Sequence, residues 1–226
     1  STQGVSSAAS DVYKRQFNNS IKSALIQYDD ISLREVDTAS RINKILGTKC
    51  QVNLDPTLLL CADDWDKLIE SKPLINEPYL FLYTPFFKKE VFQLAKKWAD
   101  NLKIKIVVSQ TYGAVDCTWL YDGNFRPYFV AGPKEFLNLC KYATGIIGSS
   151  FHIVAFAVIL QKPFWAVNGL KDSRVANFLR LVGLESRSIE QTKNPNVSSD
   201  IDFNLVQEKL KLERQKSIQW LYDSLK

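Results

Sequence analysis

Short, largely apolar runs that alternate with segments of helical period constrain the fold of this chain more than any other feature. Residues 79–83 (YLFLY) and 104–108 (IKIVV) are two such runs, and between them Val91, Ala95, Trp98 and Leu102 recur at helical spacing. Downstream, Pro133 opens a helix with Phe136, Cys140 and Ala143 inward, and that helix delivers the chain to a strand over 145–148. A helix over 151–161, a strand over 164–167 and a helix over 173–182 follow, the last with Val175, Phe178, Leu179 and Val182 toward the sheet. Upstream the alternation uses shorter pieces. A strand over 31–33 precedes an N-cap within residues 37–40, and the helix after it carries Ala39, Ile42, Ile45 and Leu46 on one face and closes at Gly47. A second strand over 51–54 stops at Asp55-Pro56, and residues 63–69 read as a short helix.

Strands without polar alternation are buried on both faces, and strand–helix alternation implies a parallel sheet with right-handed crossovers. The expected fold class is therefore α/β, a Rossmann-like parallel sheet with flanking helices. Three segments are expected. Residues 1–16 are small, polar and without period, and are set apart as a non-native leader. Residues 17–202 form the Rossmann-like domain. Residues 203–226 form a last helix with Phe203, Val206, Leu210, Leu221 and Leu225 along one stripe. The chain contains no methionine, and it is expected to be a fragment of a longer protein.

Composition narrows the partners. The 29 basic and 24 acidic side chains leave a charge of +5, dispersed along the chain, which suits small anions better than a nucleic acid, so no nucleic-acid partner is expected. Cys50, Cys61, Cys117 and Cys140 form no C-x-x-C pair, and a single histidine leaves no zinc-type spacing, so the thiols are expected to be reduced and no metal is expected. The longest clean apolar run, 153–160, falls far short of the roughly 20 residues of a membrane-spanning helix. The expected location is the cytoplasm, with the inner face of the membrane as a place of work.

In open parallel sheets, ligands bind beyond the carboxyl ends of the strands. That rule selects Arg34, Asp55, Thr84, the segment Gly148, Ser149, Ser150, Phe151 and His152, and Asn168. The segment from Gly148 has the strongest rationale. Glycine permits close backbone approach, the two serines offer hydroxyls, and the first turn of the following helix presents unpaired N–H groups to a phosphate or carboxylate. A plain serine cap with a surface histidine fits the same spacing. Arg34 reads either as a clamp for an anion or as an ion-pair partner of Glu35 or Asp37, and Asp55-Pro56 as a turn that ends a strand. Trp119, Tyr121, Phe125, Tyr128 and Phe129 crowd a stretch that suits sugar stacking or, more simply, local packing.

Six segments in order resemble the polysaccharide pyruvyl transferase family: ISLRE at 31–35, LDPTLLL at 54–60, YLFLY at 79–83, EFLNLCKYATGIIGSSFH at 135–152, KPFWAV at 162–167 and SRVANFLRLVGLESR at 173–187. The resemblance covers roughly residues 25–190, and SFH followed by KPF is its most specific part. It implies one half of a GT-B-like enzyme, the C-terminal, donor-side domain, with an N-terminal domain supplying most acceptor contacts. It also implies transfer of a pyruvyl group from phosphoenolpyruvate to paired hydroxyls of a sugar, in a bacterial surface polysaccharide or a lipid-linked precursor. Phosphoenolpyruvate is then a donor substrate, and no cofactor is implied. By the resemblance Arg34 engages the donor's anionic groups and His152 transfers a proton. Ser150 and Phe151 lie along the donor, and Arg174 is a further candidate for the same anion. Ile153 follows His152, where many members carry glycine. A nucleotide-sugar glycosyltransferase of similar architecture and a non-catalytic carbohydrate-binding or interaction domain are the alternative functions.

Overall fold

In the computed structural model, which describes residues 17–85, 88–109, 122–129, 132–190, 193 and 201–226, the apolar runs become one all-parallel sheet. The leader expected over residues 1–16, the thiol of Cys117, and Trp119 and Tyr121 of the aromatic stretch lie outside these residues. The described residues divide into two compact units, residues up to 55 with 216–226, and residues 56–215. Residues 203–215 belong to the larger unit, where Val206 and Leu210 are buried.

In the smaller unit, residues 17–25 form a first helix, α1. Strands β1 (Ser32–Leu33) and β2 (Gln51–Val52) pair in parallel around α2 (Val36–Leu46). Helix α2 starts a turn earlier than its sequence suggests. Glu35 stands at the N-cap without a side-chain capping bond, and Asp37 sits instead in the first turn, where a carboxylate meets the positive end of the helix. Gly47 ends α2 in the left-handed region at φ 74°, with its N–H donating to the Asn43 carbonyl.

The first α-helix of the larger unit is α3 (Ala62–Asp66), where the sequence suggests residues 63–69. Its N-cap is Cys61, and the Asp64 carboxylate accepts from both the Cys61 N–H and thiol at 3.2 and 3.0 Å. A capping box built on cysteine escapes a search for serine or threonine. The sheet contains β3 (Tyr79–Tyr83), β4 (Lys105–Ser109), β5 (Phe125–Tyr128), β6 (Gly145–Gly148), β7 (Phe164–Val167) and β8 (Ser188–Ile189), in the order β5-β4-β3-β6-β7-β8. The crossovers are α4 (Lys89–Leu102), α5 (Pro133–Tyr142), α6 (Phe151–Ile159) and α7 (Ser173–Val182). Tyr79 to Leu82 and all of β6 and β7 are buried, as continuous apolar runs require. Helix α4 buries Val91, Leu94, Ala95 and Trp98 against Leu80, Leu82, Ile106, Val108 and Ile147.

Besides α2 and α3, two strands and one further helix end depart from the sequence pattern. Strand β5 occupies part of the stretch read as an aromatic loop. It includes Pro127, which is tolerated because β5 is an edge strand paired only with β4. Strand β8 is two residues long, too short to show a period. Helix α6 ends at Ile159 rather than residue 161, because Gln161 turns left-handed at φ 54° and the Lys162 N–H closes back onto the Ala157 carbonyl. The last helix, α8 (Phe203–Ser224), is covered along only part of its stripe, since Leu221 and Leu225 are exposed.

Candidate functional site

Strand order decides where the larger unit can hold a ligand. From β3 the chain moves outward to β4 and β5, then crosses back to place β6 on the other side of β3, so the direction of winding reverses between β3 and β6. Neighbouring loops diverge at such a reversal and leave a crevice beyond the carboxyl ends of the strands. The register pairs Tyr83 with Gly148, so both strands end level. Thr84 follows one and Ser149 the other, and their hydroxyl oxygens lie 2.9 Å apart in a hydrogen bond.

Gly148 is needed here for a reason other than ligand approach. A Cβ at this position would stand 2.2 Å from the Tyr83 carbonyl oxygen and 2.8 Å from Ile153 Cγ2. The glycine therefore lets β3 and β6 lie together beneath the first turn of α6. Ile153, the residue that departs from the family pattern, is fully buried and fills the space over Gly148, so its side chain belongs to the core.

Helix α6 is apolar around its circumference, and of its nine residues eight are buried. The exception is His152. Ser150 holds the N-cap position with extended backbone, φ −101° and ψ 146°, yet its side chain makes no capping hydrogen bond. Ser149 is engaged with Thr84. A simple serine cap is thus not what starts this helix. Phe151 is buried with its ring edge-on to Phe178 at 5.8 Å, and the His152 ring stands edge-on to Phe151 at 5.5 Å.

Beside this turn lies a cavity of about 360 Å³ whose polar lining comprises Ser149, Asn168, Lys88, Lys171 and Asp172. Ser149 and Asn168 are brought together here as their positions at strand ends suggest. Asn168 adopts the left-handed region at φ 52°, which asparagine tolerates better than most residues. Among the described residues, Gly148, Ser150, Phe151, His152 and Arg174 do not line this cavity. Sequence reasoning missed Lys88 and Lys171. Both follow a strand end by only a few residues, and extending the strand-end rule through the whole connecting loop would have found them. Neither ammonium has a hydrogen-bond or ion-pair partner among the described residues.

Asp172 is the N-cap of α7 and accepts from the backbone N–H of Arg174 and Val175. The Arg174 guanidinium also donates to it, from Nε at 3.1 Å and Nη2 at 2.7 Å. The Arg174 side-chain bond, followed by the backbone bonds, holds the Asp172 carboxyl below its ordinary range. A carboxylate with a lowered pKa in the folded state contributes stability above its unfolded pKa and loses it as pH falls through the folded value. Asp172→Ala is accordingly expected to cost about 1 kcal/mol at neutral pH. Denaturant titrations should show the difference from wild type shrinking as pH is lowered below the normal carboxylate range.

Arg34 belongs to the smaller unit. Its Nη1 donates to Asp55 Oδ2 at 2.5 Å, and its Nε lies 3.7 Å from Glu35 Oε1. Asp55 is buried, so beyond ending a strand it fixes the guanidinium of Arg34. Among the described residues no group of three or more His, Cys, Asp or Glu side chains is placed to hold a metal ion, and no helix is long and apolar enough to cross a membrane.

The family model for polysaccharide pyruvyl transferase matches residues 3–169. The chain belongs to the polysaccharide pyruvyl transferase family. The match takes in Arg34, the Gly148 to His152 turn and Asn168, and ends before Lys171 and Arg174. No curated protein matches the chain. Among solved structures, a glycosyltransferase involved in avilamycin A biosynthesis is similar at 12% identity and a TM-score of 0.40, over 80% of this chain and 56% of that one. The glycosyltransferase SnogD from Streptomyces nogalater is similar at 11% identity and a TM-score of 0.42, over 81% and 60%. A UDP-GlcNAc 2-epimerase from Methanocaldococcus jannaschii is similar at 15% identity and a TM-score of 0.41, over 78% and 46%. This pyruvyl transferase family member thus spans about half the length of the solved structures it matches.

Proposed function

We propose that the chain is the donor-side part of a transferase that moves the pyruvyl unit of phosphoenolpyruvate onto two hydroxyls of a sugar, as a cyclic ketal. The sugar belongs to a bacterial surface polysaccharide or its lipid-linked precursor, and the reaction takes place in the cytoplasm. One observation carries the reading: within a chain of this family, the uncapped start of α6 stands at the reversal of strand order, with His152 its one exposed side chain.

The chemistry sets four tasks: protonation of the donor's methylene carbon, stabilisation of the cationic C2 that results, deprotonation of the attacking hydroxyls, and release of phosphate. The methylene carbon and the departing phosphate each gain one proton, and the two hydroxyls supply both. His152 delivers the proton to carbon and is recharged from an attacking hydroxyl, a general acid and base in one side chain. The N–H groups at the start of α6 donate hydrogen bonds to the carboxylate or phosphate of phosphoenolpyruvate. Lys88 and Lys171 hold the phosphate as negative charge develops on it. In the smaller unit Asp55 orients Arg34, whose guanidinium suits a carboxylate or phosphate.

The test is direct. Phosphoenolpyruvate should raise the melting temperature of the intact protein and release phosphate only when a sugar acceptor gains a ketal. A rise with a nucleoside diphosphate sugar and none with phosphoenolpyruvate would overturn the reading. Lys88→Ala and Lys171→Ala are each expected to raise the KM for phosphoenolpyruvate about tenfold, the effect of losing one charge-assisted hydrogen bond. Steady-state kinetics at saturating acceptor measures this.

A further inference from the structure

The smaller unit contains a cavity of its own, also about 360 Å³, within the roughly 300–1,000 Å³ of small-ligand pockets. It lies among the loop after α1, the segment between α2 and β2, and the last turns of α8. Asp29, Asp30, Thr48, Lys49 and Gln51 supply its polar lining, and Tyr28 and Trp220 supply aromatic surface. Leu25 and Leu46 add apolar wall. Asp29, Asp30 and Lys49 have no hydrogen-bond or ion-pair partner among the described residues, and Tyr28 is 65% exposed.

We propose that this cavity is a saccharide-binding site. Its composition selects the ligand class by elimination. An anion would face the two carboxylates of Asp29 and Asp30. An ammonium ligand would suit the carboxylates and the aromatic rings but would face Lys49. A purely apolar ligand would strand all of these polar groups away from water. A pyranose satisfies the set. Each hydroxyl both donates and accepts, so Asp29 and Asp30 take protons from hydroxyls while Lys49 and the Gln51 amide give them. The apolar C–H face of the ring matches Tyr28 and Trp220, side chains that combine a broad apolar body with a polar edge. This inference does not depend on the reading of the donor site.

Ligand-observed NMR titration of the intact chain tests it, with the methyl glycosides of glucose, galactose and mannose as probes and choline as the cationic control. At least one glycoside is expected to bind saturably. Tyr28→Ala and the double variant Asp29→Asn, Asp30→Asn should each weaken that binding about tenfold or more. All three side chains are exposed, so these variants should fold, and the rise in melting temperature with phosphoenolpyruvate should persist in them. The proposal fails if no glycoside binds, if binding ignores both variants, or if choline binds in the glycosides' place. A loss of the phosphoenolpyruvate effect in wild type, with glycoside binding intact, would remove the donor reading alone.

Discussion

Replacing His152 by alanine is expected to lower ketal transfer by roughly 10²- to 10⁴-fold, the usual contribution of a positioned general acid or base. Unfolding should stay within about 0.5 kcal/mol of wild type, as for surface substitutions generally. The separation of the two effects follows from how α6 is built. Its other eight residues are buried, so the helix is fixed by apolar packing to which His152 contributes nothing that alanine would remove beyond its edge contact with Phe151. Phosphate release, ketal formation by NMR and a melting curve on the same preparation measure both quantities. Transfer that survives in the variant would exclude His152 from proton delivery. A collapse of stability would mean that the ring holds the turn rather than serving chemistry.

The second large effect falls on stability. Gly148→Ala is expected to cost about 3 kcal/mol or more, at the upper end for overpacked sites, and to lower Tm by roughly 6–12 °C. The new methyl would meet a backbone oxygen, Tyr83 O at 2.2 Å, which cannot move without breaking the pairing of β3 with β6. Its other neighbour, Ile153 Cγ2 at 2.8 Å, is held in the core. Relief therefore requires separating the strands whose ends present Thr84 and Ser149. Urea unfolding and the KM for phosphoenolpyruvate should worsen together. A variant with unchanged stability would show that the two strands do not approach so closely.

Much of the larger unit was legible in the sequence because its strands are buried on both faces. The runs 79–83, 145–148 and 164–167 become strands at those bounds, and α4 and α7 fall where their apolar positions recur. Legibility failed where local rules met unusual residues. Cys61 caps α3 in place of serine, Pro127 sits in an edge strand, and α2 begins at a glutamate that caps nothing. Each is permitted by context: a nearby carboxylate, an unpaired strand edge, a short link from β1.

The candidate site divides along the same line. The sequence by itself determined which residues follow strand ends, and so singled out Arg34, the Gly148 to His152 turn and Asn168. Those are local properties of a chain that alternates strand and helix. Only the tertiary structure decided the strand order, and with it the reversal that sets Thr84 against Ser149. It also decided that Lys88 and Lys171, far apart in sequence, share one cavity. The physical reason is that periodicity reports which face of an element is buried and says nothing of which element covers it. Neighbours in a parallel sheet are chosen by packing between segments distant in the chain.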